Sequence, residues 1–353
     1  MLDEPTQNIT NLHFNFLSRV LSGIKLNRYV ENFDHERHPE GVNGKTPLTF
    51  EPLDAAKNLH WYFQNIENVY KAHSNLTNER SKSLYLSVLA HRIGGHLSFK
   101  IPVNFSEYEL DHDWVEFNTA ATSVASKFEC KFPGIRHFDF EFDGKHFICD
   151  CFSLKYYLHR KQYFYDEGGL TISPADGDVV LDCGACTGDT AVVFGNTVGD
   201  HGHVYAFDPV QDHLDILEHN IEQNPNLNIT KVPCGVSNKF NEGKPVALDT
   251  INPGFNAFGQ YDIPTTTIDH FVEDNNLDKV DFIKMDIEGA ELSALQGAMR
   301  TIKKFKPKLA ISIYHHFDDF QSIINQVASL NIYQNMVIEH HTIHSEETVL
   351  YCS

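Results

Sequence analysis

Strand-like and helix-like segments alternate along the second half of the chain, and this alternation restricts the possible folds more than any other feature. Strands are predicted at 179–182, 203–208, 228–232, 281–286 and 309–314, and helices from about 188 and at 213–223, 290–302 and 320–328. Such alternation is typical of a doubly wound, parallel α/β sheet covered by helices. Two final apolar stretches, 333–339 and 348–351, have no crossover helix between them, so that pair is predicted to be antiparallel.

Residues 1–165 have a different character, because they are rich in aromatic residues and histidine and mix two periodicities. Apolar residues recur at three- and four-residue steps over 54–72, which predicts one amphipathic helix. Residues 137–142 alternate with period two, and Asp143-Gly144 then provides a hairpin turn. We therefore predict a smaller α+β N-terminal domain over residues 1–165, which caps the substrate or mediates oligomerisation, before a second domain over residues 166–353.

A glycine-containing loop follows the first strand of the second half. Asp182 precedes this loop, and Gly184 and Gly188 allow the backbone to turn sharply and to approach a ligand closely. Ligands of open parallel sheets bind at the carboxyl ends of the strands, where this loop is expected. Asp208 ends the next strand about twenty residues later, where a carboxylate can bind both hydroxyls of a ribose. The pattern predicts a nucleotide-type cofactor.

The spacing of the glycines discriminates between two such cofactors. A nicotinamide dinucleotide requires G-x-G-x-x-G, because its pyrophosphate must meet the N-terminus of a helix. This loop lacks that spacing, and Asp182 would repel a pyrophosphate but suits the ammonium group of a methionine moiety. The loop therefore favours S-adenosylmethionine. A nicotinamide-dependent oxidoreductase and a non-catalytic cofactor-binding protein stay open as alternatives.

Five blocks of sequence resemble the FkbM family of S-adenosylmethionine-dependent methyltransferases over residues 165–352. The blocks lie at 180–190, 206–209, 232–237, 266–269 and 281–291. The resemblance implies a Rossmann-like class I methyltransferase fold, with a mostly parallel sheet and an antiparallel last strand, and O-methylation of a hydroxyl on a sugar, glycan or related natural product. The cofactor-binding residues predicted from the loop and from these blocks are Asp182, Gly184, Ala185, Gly188, Thr190, Asp208, Pro209, Gly235 and Asp286.

Two positions depart from the pattern of the family. Cys186 stands where the family often has Asn, and Asp208 stands where Glu is commoner. A small polarisable side chain and a shorter carboxylate can still serve the cofactor, so neither departure changes the prediction.

Three residues are predicted to act on the acceptor hydroxyl, which profits from a base that takes its proton during attack. Asp286 ends a central strand, so its side chain is expected in the cleft, where it orients the acceptor. His315 and His316 follow the next strand on the same side of the sheet. Because histidine titrates near neutral pH, His315 is predicted to be the base, with His316 as its substitute. Glu291 is assigned instead to the electrostatics of a helix start.

A divalent cation is an alternative to a protein base. Asp286 and Glu288, with Asp318 or Asp319, carry the oxygen ligands that Mg²⁺ prefers, although no spacing fixes the set. The histidines at 340–344 are predicted to form a polar turn, because they lie between two predicted strands.

The charge of the chain restricts its partners. It carries 48 acidic and 28 basic residues, a formal net charge of -20, which disfavours a nucleic acid partner. No apolar run reaches the roughly 18 residues that a membrane span needs, and the acidic N-terminus lacks the pattern of a signal peptide. We predict a cytoplasmic protein with a small-molecule or glycan acceptor, and a homo-oligomer is possible.

Overall fold

The computed structural model describes residues 4–24, 52–96, 98–103, 122–241, 246–250 and 259–353, so parts of the predicted N-terminal domain lie outside the described residues. The helices are α1 (Glu4–Gly23), α2 (Pro52–Gln64), α3 (Ile66–Asn75), α4 (Glu79–Gly94), α5 (Lys155–Leu158), α6 (Asp189–Val198), α7 (Gln211–Gln223), α8 (Ile268–Asp274), α9 (Glu291–Gln296), α10 (Met299–Phe305) and α11 (Asp319–Ala328), with a 3₁₀ turn at Gly199–His201. Within this part of the chain, no helix combines the length and the apolar character that crossing a membrane requires.

The strands are β1 (Thr122–Ala125), β2 (Arg136–Phe142), β3 (Lys145–Cys151), β4 (Tyr165–Glu167), β5 (Leu170–Ile172), β6 (Val179–Cys183), β7 (His203–Phe207), β8 (Ile229–Val232), β9 (Gly235–Val236), β10 (Val246–Thr250), β11 (Gly259–Ile263), β12 (Thr265–Thr266), β13 (Phe282–Met285), β14 (Lys308–Ser312), β15 (Met336–His340) and β16 (Thr348–Cys352). Seven of them form the central sheet, in the order β15-β16-β14-β13-β6-β7-β8. Strands β6, β7, β8, β13 and β14 pair in parallel, and β16 is antiparallel to both of its neighbours. The predicted α/β sheet with an antiparallel final pair is confirmed.

The hairpin predicted in the N-terminal half is also confirmed. Strands β2 and β3 pair antiparallel, and Asp143 and Gly144 between them have φ angles of 50° and 72°. Two consecutive residues with positive φ match the twist of the flanking strands. The Asn220 side chain of α7 exchanges hydrogen bonds of 2.7 and 2.9 Å with the backbone of Asp150 in β3. The hairpin is thereby fixed to a helix of the central sheet.

Two predictions of a single continuous helix are wrong. The segment 54–72 divides into α2 and α3 at Asn65, whose side-chain amide donates to the Trp61 carbonyl at 2.9 Å and competes with the helical hydrogen bonds. The segment 290–302 divides into α9 and α10 beside Gly297. A Cβ at Gly297 would lie 2.2 Å from the carbonyl oxygen of Ser237, so the backbone at Gly297 packs directly against the backbone of Ser237.

The N-terminal helices and the central sheet share one hydrophobic core. The ring of Tyr85 in α4 stacks on that of Phe320 in α11, with centroids 4.5 Å apart. The Ser81 hydroxyl exchanges hydrogen bonds with the backbone of Ile338 in the edge strand β15. Helix α4 therefore covers backbone groups that an edge strand would otherwise leave exposed.

Two buried histidines make the stability of the fold depend on pH. Burial lowers the pKa of both His91 and His341 to about 3. Because an unfolded histidine titrates near 6.5, the unfolded chain binds more protons, and the free energy of unfolding falls between about pH 6.5 and 3. Each group contributes about 1.4 kcal/mol per pH unit within that window. Between about pH 5.5 and 4.5, the free energy of unfolding measured with urea should fall by about 1.4 kcal/mol less in His91→Leu than in the wild type.

The matched control is His60→Leu, which replaces an exposed histidine of α2. It should leave the pH slope as in the wild type. A wild-type slope in His91→Leu would contradict the prediction.

Candidate active site

The carboxyl ends of four neighbouring parallel strands bring the predicted residues to one edge of the sheet. Gly184 follows β6, Asp208 follows β7, Asp286 follows β13, and His315 follows β14. Neighbouring parallel strands end at the same edge, so residues far apart in sequence meet there.

The glycine loop packs directly against the segment that carries Asp286. Gly184 and Gly188 have φ angles of 86° and 91°. A Cβ on Gly184 would lie 1.8 Å from the carbonyl oxygen of Asp286, and one on Gly188 would lie 2.5 Å from Leu217 Cδ1. Both glycines are thus required by their backbone conformation and by neighbouring protein atoms.

A buried ion pair connects this loop to strand β13. Lys284 and Asp182 are register partners in β13 and β6, and Lys284 Nζ lies 3.1 Å from Asp182 Oδ1. The same Nζ donates to the Gly184 carbonyl at 2.6 Å, and the Thr190 hydroxyl donates to Asp182 Oδ2 at 2.6 Å. Burial alone would lower the pKa of Lys284, but Asp182 and Asp286 raise it. Protein groups therefore surround Asp182, and its contact with a ligand ammonium group stays a prediction.

Asp208 connects the glycine loop to helix α7. Its Oδ2 accepts from the backbone N–H of Cys186 at 3.0 Å, and its Oδ1 accepts from that of Val210 at 2.9 Å. His213 Nδ1 lies 3.1 Å from the same Oδ1. The carboxylate is held firmly at the end of β7, beside the loop.

The remaining predicted cofactor residues lie near this edge and offer mainly backbone groups. Ala185 is buried, and its N–H donates to the Phe207 carbonyl at 2.9 Å. The N–H of Gly235 in β9 donates to the Pro264 carbonyl at 2.8 Å. Pro209 is half-buried between Asp208 and α7.

Two tyrosines that the sequence did not single out orient Asp286. Tyr163 donates from its hydroxyl to Asp286 Oδ2 at 2.7 Å, and Tyr314 donates to Oδ1 at 3.1 Å. Burial opposes ionisation of Asp286, but the positive charges of His315 and Lys284 hold its pKa below the usual range. Asp286 is therefore an ionised and well-oriented acceptor at neutral pH.

His315 lies among three carboxylates. Its Nδ1 is 3.0 Å from Glu291 Oε1, and its Nε2 is 3.4 Å from Asp286 Oδ1 and 3.7 Å from Glu288 Oε2. Burial alone would lower the pKa of His315, but Glu291, Asp286 and Glu288 raise it to about 10. The ring is thus protonated at neutral pH. This geometry opposes the role of proton acceptor that the sequence suggested for it.

Glu288 is the most accessible carboxylate around His315, with 48% of its side chain exposed. Partial burial raises its pKa to about 7, aided by Asp286 and Glu291 and opposed by His315. Its φ angle is 57°, and that of Gly289 is 97°. His316 packs on this turn, because a Cβ on Gly289 would lie 2.3 Å from His316 Nε2.

The described residues include one group with the donor types of a metal site, formed by Asp286, Glu291 and His315. Their ligand atoms lie within 4.8 Å of one another. From the sequence, Asp286 and Glu288 were the predicted ligands of a cation, and Glu291 was assigned to a helix start. In the structure Glu291 belongs to this group and is its fully buried member. The protonated ring of His315 already places positive charge beside these carboxylates.

Removing the buried ammonium group should cost much of the stability. Lys284→Met leaves the Asp182 carboxylate buried without its countercharge, so we expect a loss of about 3–5 kcal/mol in the free energy of unfolding. Urea unfolding followed by circular dichroism measures it. Lys57→Met is the control, because its 3.2 Å pair with Asp54 is exposed and should contribute under about 1 kcal/mol. Equal losses in the two variants would refute this.

Comparison with known proteins finds a family domain that matches part of the chain, and a similar fold. Residues 182–348 match the model of the methyltransferase FkbM domain. The structure is similar to the methyltransferase FkbM from Methylobacillus flagellatus KT, with a TM-score of 0.52 and 22% identity over 83% of this chain and 60% of that one. It is also similar to Aeropyrum pernix fibrillarin in complex with natively bound S-adenosyl-L-methionine, with a TM-score of 0.34 and 13% identity over 62% of this chain and 94% of that one. No curated protein sequence matches.

Proposed function

We propose that this chain, whose residues 182–348 are a methyltransferase domain of the FkbM family, transfers a methyl group from S-adenosylmethionine to a hydroxyl of a sugar, glycan or related natural product. The observation that carries the proposal is the contact between the glycine loop and Asp286. Gly184 has no room for a Cβ because the Asp286 carbonyl occupies that space. A cofactor on the loop and an acceptor at Asp286 would therefore be neighbours.

The groups at this edge suit S-adenosylmethionine. Asp208 would receive the ribose hydroxyls, and the loop of residues 184–188 would lie along the rest of the cofactor. The bound cofactor supplies a methyl group already activated by a sulfonium, so the chain's main contribution is to hold the acceptor in line with it. Asp286 is suited to this task because two phenols fix both of its oxygens.

We assign the proton acceptor to Glu288 in place of His315. A base works best when its pKa is close to the working pH, and that of Glu288 is about 7. Its side chain is also half exposed, so an acceptor can reach it. His315 then serves as a fixed positive charge between Glu291 and Asp286. His316 is the second candidate for the base, because it is exposed and packs beside Glu288.

Cofactor binding is tested by isothermal titration with S-adenosylhomocysteine and NAD. We expect heat from S-adenosylhomocysteine and none from NAD. Asp208→Asn should weaken binding about 10- to 100-fold, because hydrogen bonds to a charged group contribute about 1.5–3 kcal/mol. Glu222→Gln, an exposed change at the end of α7, is the matched control. Binding of NAD alone would overturn the assignment.

The base is tested by methylation of a panel of sugar acceptors, read by mass spectrometry. The rate should rise with pH through about 7, as Glu288 loses its proton. Glu288→Gln should lower the rate about 10²- to 10⁴-fold and abolish this inflection, with the affinity for S-adenosylhomocysteine unchanged.

The control for this change is Glu273→Gln on α8, whose side chain is 69% exposed. It should leave the profile unaltered. An inflection that persists in Glu288→Gln and disappears in His316→Gln would transfer the role to His316.

A further inference from the structure

Helices α2 and α4 contact the loop between β14 and α11, at the catalytic edge of the sheet. Trp61 Nε1 donates to Asp318 Oδ1 at 2.6 Å, and its ring meets that of Phe317 edge to face at 4.5 Å. Arg92 Nη2 donates to the His316 carbonyl at 3.0 Å, and its guanidinium carbon lies 4.8 Å from the centre of the Phe317 ring. Three consecutive residues of the loop are thus contacted from the N-terminal helices.

The opposite side of the same loop forms a wall of the candidate site. His315, directly before the contacted residues, lies 3.0 Å from Glu291 and 3.4 Å from Asp286. The His316 ring packs on Gly289, and its backbone N–H donates to Asp319 Oδ2 at 2.8 Å. A shift of the loop would therefore move the imidazole relative to its carboxylate partners.

Arg92 contributes its charge and its planar guanidinium to this contact, as well as its volume. Burial lowers the pKa of its guanidinium to about 10, against the opposing charge of Asp319, so the group is still a cation at neutral pH. Keeping a cation partly buried costs free energy that an apolar side chain would avoid. The planar guanidinium donates to a carbonyl and lies against an aromatic ring, a combination that neither lysine nor methionine reproduces.

We propose that Trp61 and Arg92 are positioning residues of the active site. By fixing the loop at His316, Phe317 and Asp318, they set the distance of the His315 ring from Glu291 and Asp286. The N-terminal helices then form part of the catalytic apparatus, a role different from substrate capping or oligomerisation. The catalytic consequence rests on the proposed function, whereas the geometric consequence is measurable without any acceptor.

The test is the position of the His315 ring signal at one fixed, neutral pH in the full chain, recorded by NMR of protein labelled at histidine Cε1. The His315 signal is identified by its absence in His315→Gln. Trp61→Phe keeps the ring on Phe317 but removes the N–H donor, and Arg92→Lys keeps the charge but removes the planar fork. In both, we expect the His315 Cε1 signal to shift and broaden relative to the wild type, because the ring is no longer held at fixed distances from Glu291 and Asp286.

The matched controls are Phe63→Leu on α2 and Lys82→Met on α4, neither of which contacts the loop. Both should leave the His315 signal at its wild-type position, and thermal melting followed by circular dichroism identifies the variants that fold. A wild-type His315 signal in folded Trp61→Phe and Arg92→Lys would overturn the proposal.

Should either variant fail to fold, Asp318→Ala removes the acceptor of the Trp61 hydrogen bond from the exposed side of the loop, and a wild-type His315 signal there counts equally against the proposal. Combined with Trp61→Phe, Asp318→Ala should shift the His315 signal no further than the larger single effect, because each change removes the same hydrogen bond. Failure of S-adenosylhomocysteine to bind would reject the proposed function, and the position of the His315 signal could still be measured.

Discussion

The ammonium group of Lys284 is the element that the glycine loop and the candidate site have in common. It pairs with Asp182 in β6, donates a hydrogen bond to the Gly184 carbonyl, and supports the ionised state of Asp286. Burying a charge costs several kcal/mol unless an opposite charge and further hydrogen bonds compensate it. The loop and the strand ends are therefore fixed by one set of contacts, and neither can move without leaving a charge unpaired.

Most of the sheet could be predicted from the sequence because its signals are local. Central parallel strands are buried on both faces and give continuous apolar runs, and the Asp143-Gly144 turn fixes the hairpin. The helix boundaries at Asn65 and Gly297 could not be predicted in the same way. The first depends on a side chain that bonds to the preceding turn, and the second on the carbonyl of Ser237, which is distant in sequence.

The candidate site was predictable where a residue ends a strand, as Asp208 and Asp286 do. Tyr163 was missed, and Glu291 was assigned only to a helix start, because their contacts at the site depend on how separate elements meet, which no spacing along the chain encodes. The ionisation of His315 likewise depends on carboxylates from another element. Lys284 did carry a signal, because a lysine inside an apolar strand requires a buried countercharge.

Strand β16 lies between β14 and β15, although both precede it in the chain. While the protein is being synthesised, β15 has no partner in the sheet until residues 348–352 have left the ribosome. The edge of β14 stays open for the same period, and open strand edges can pair with other molecules. The loop after β14, which carries His315, thus acquires its final surroundings late. A nascent chain that has already formed its glycine loop therefore reaches the complete row of strand ends only after β16 has joined the sheet.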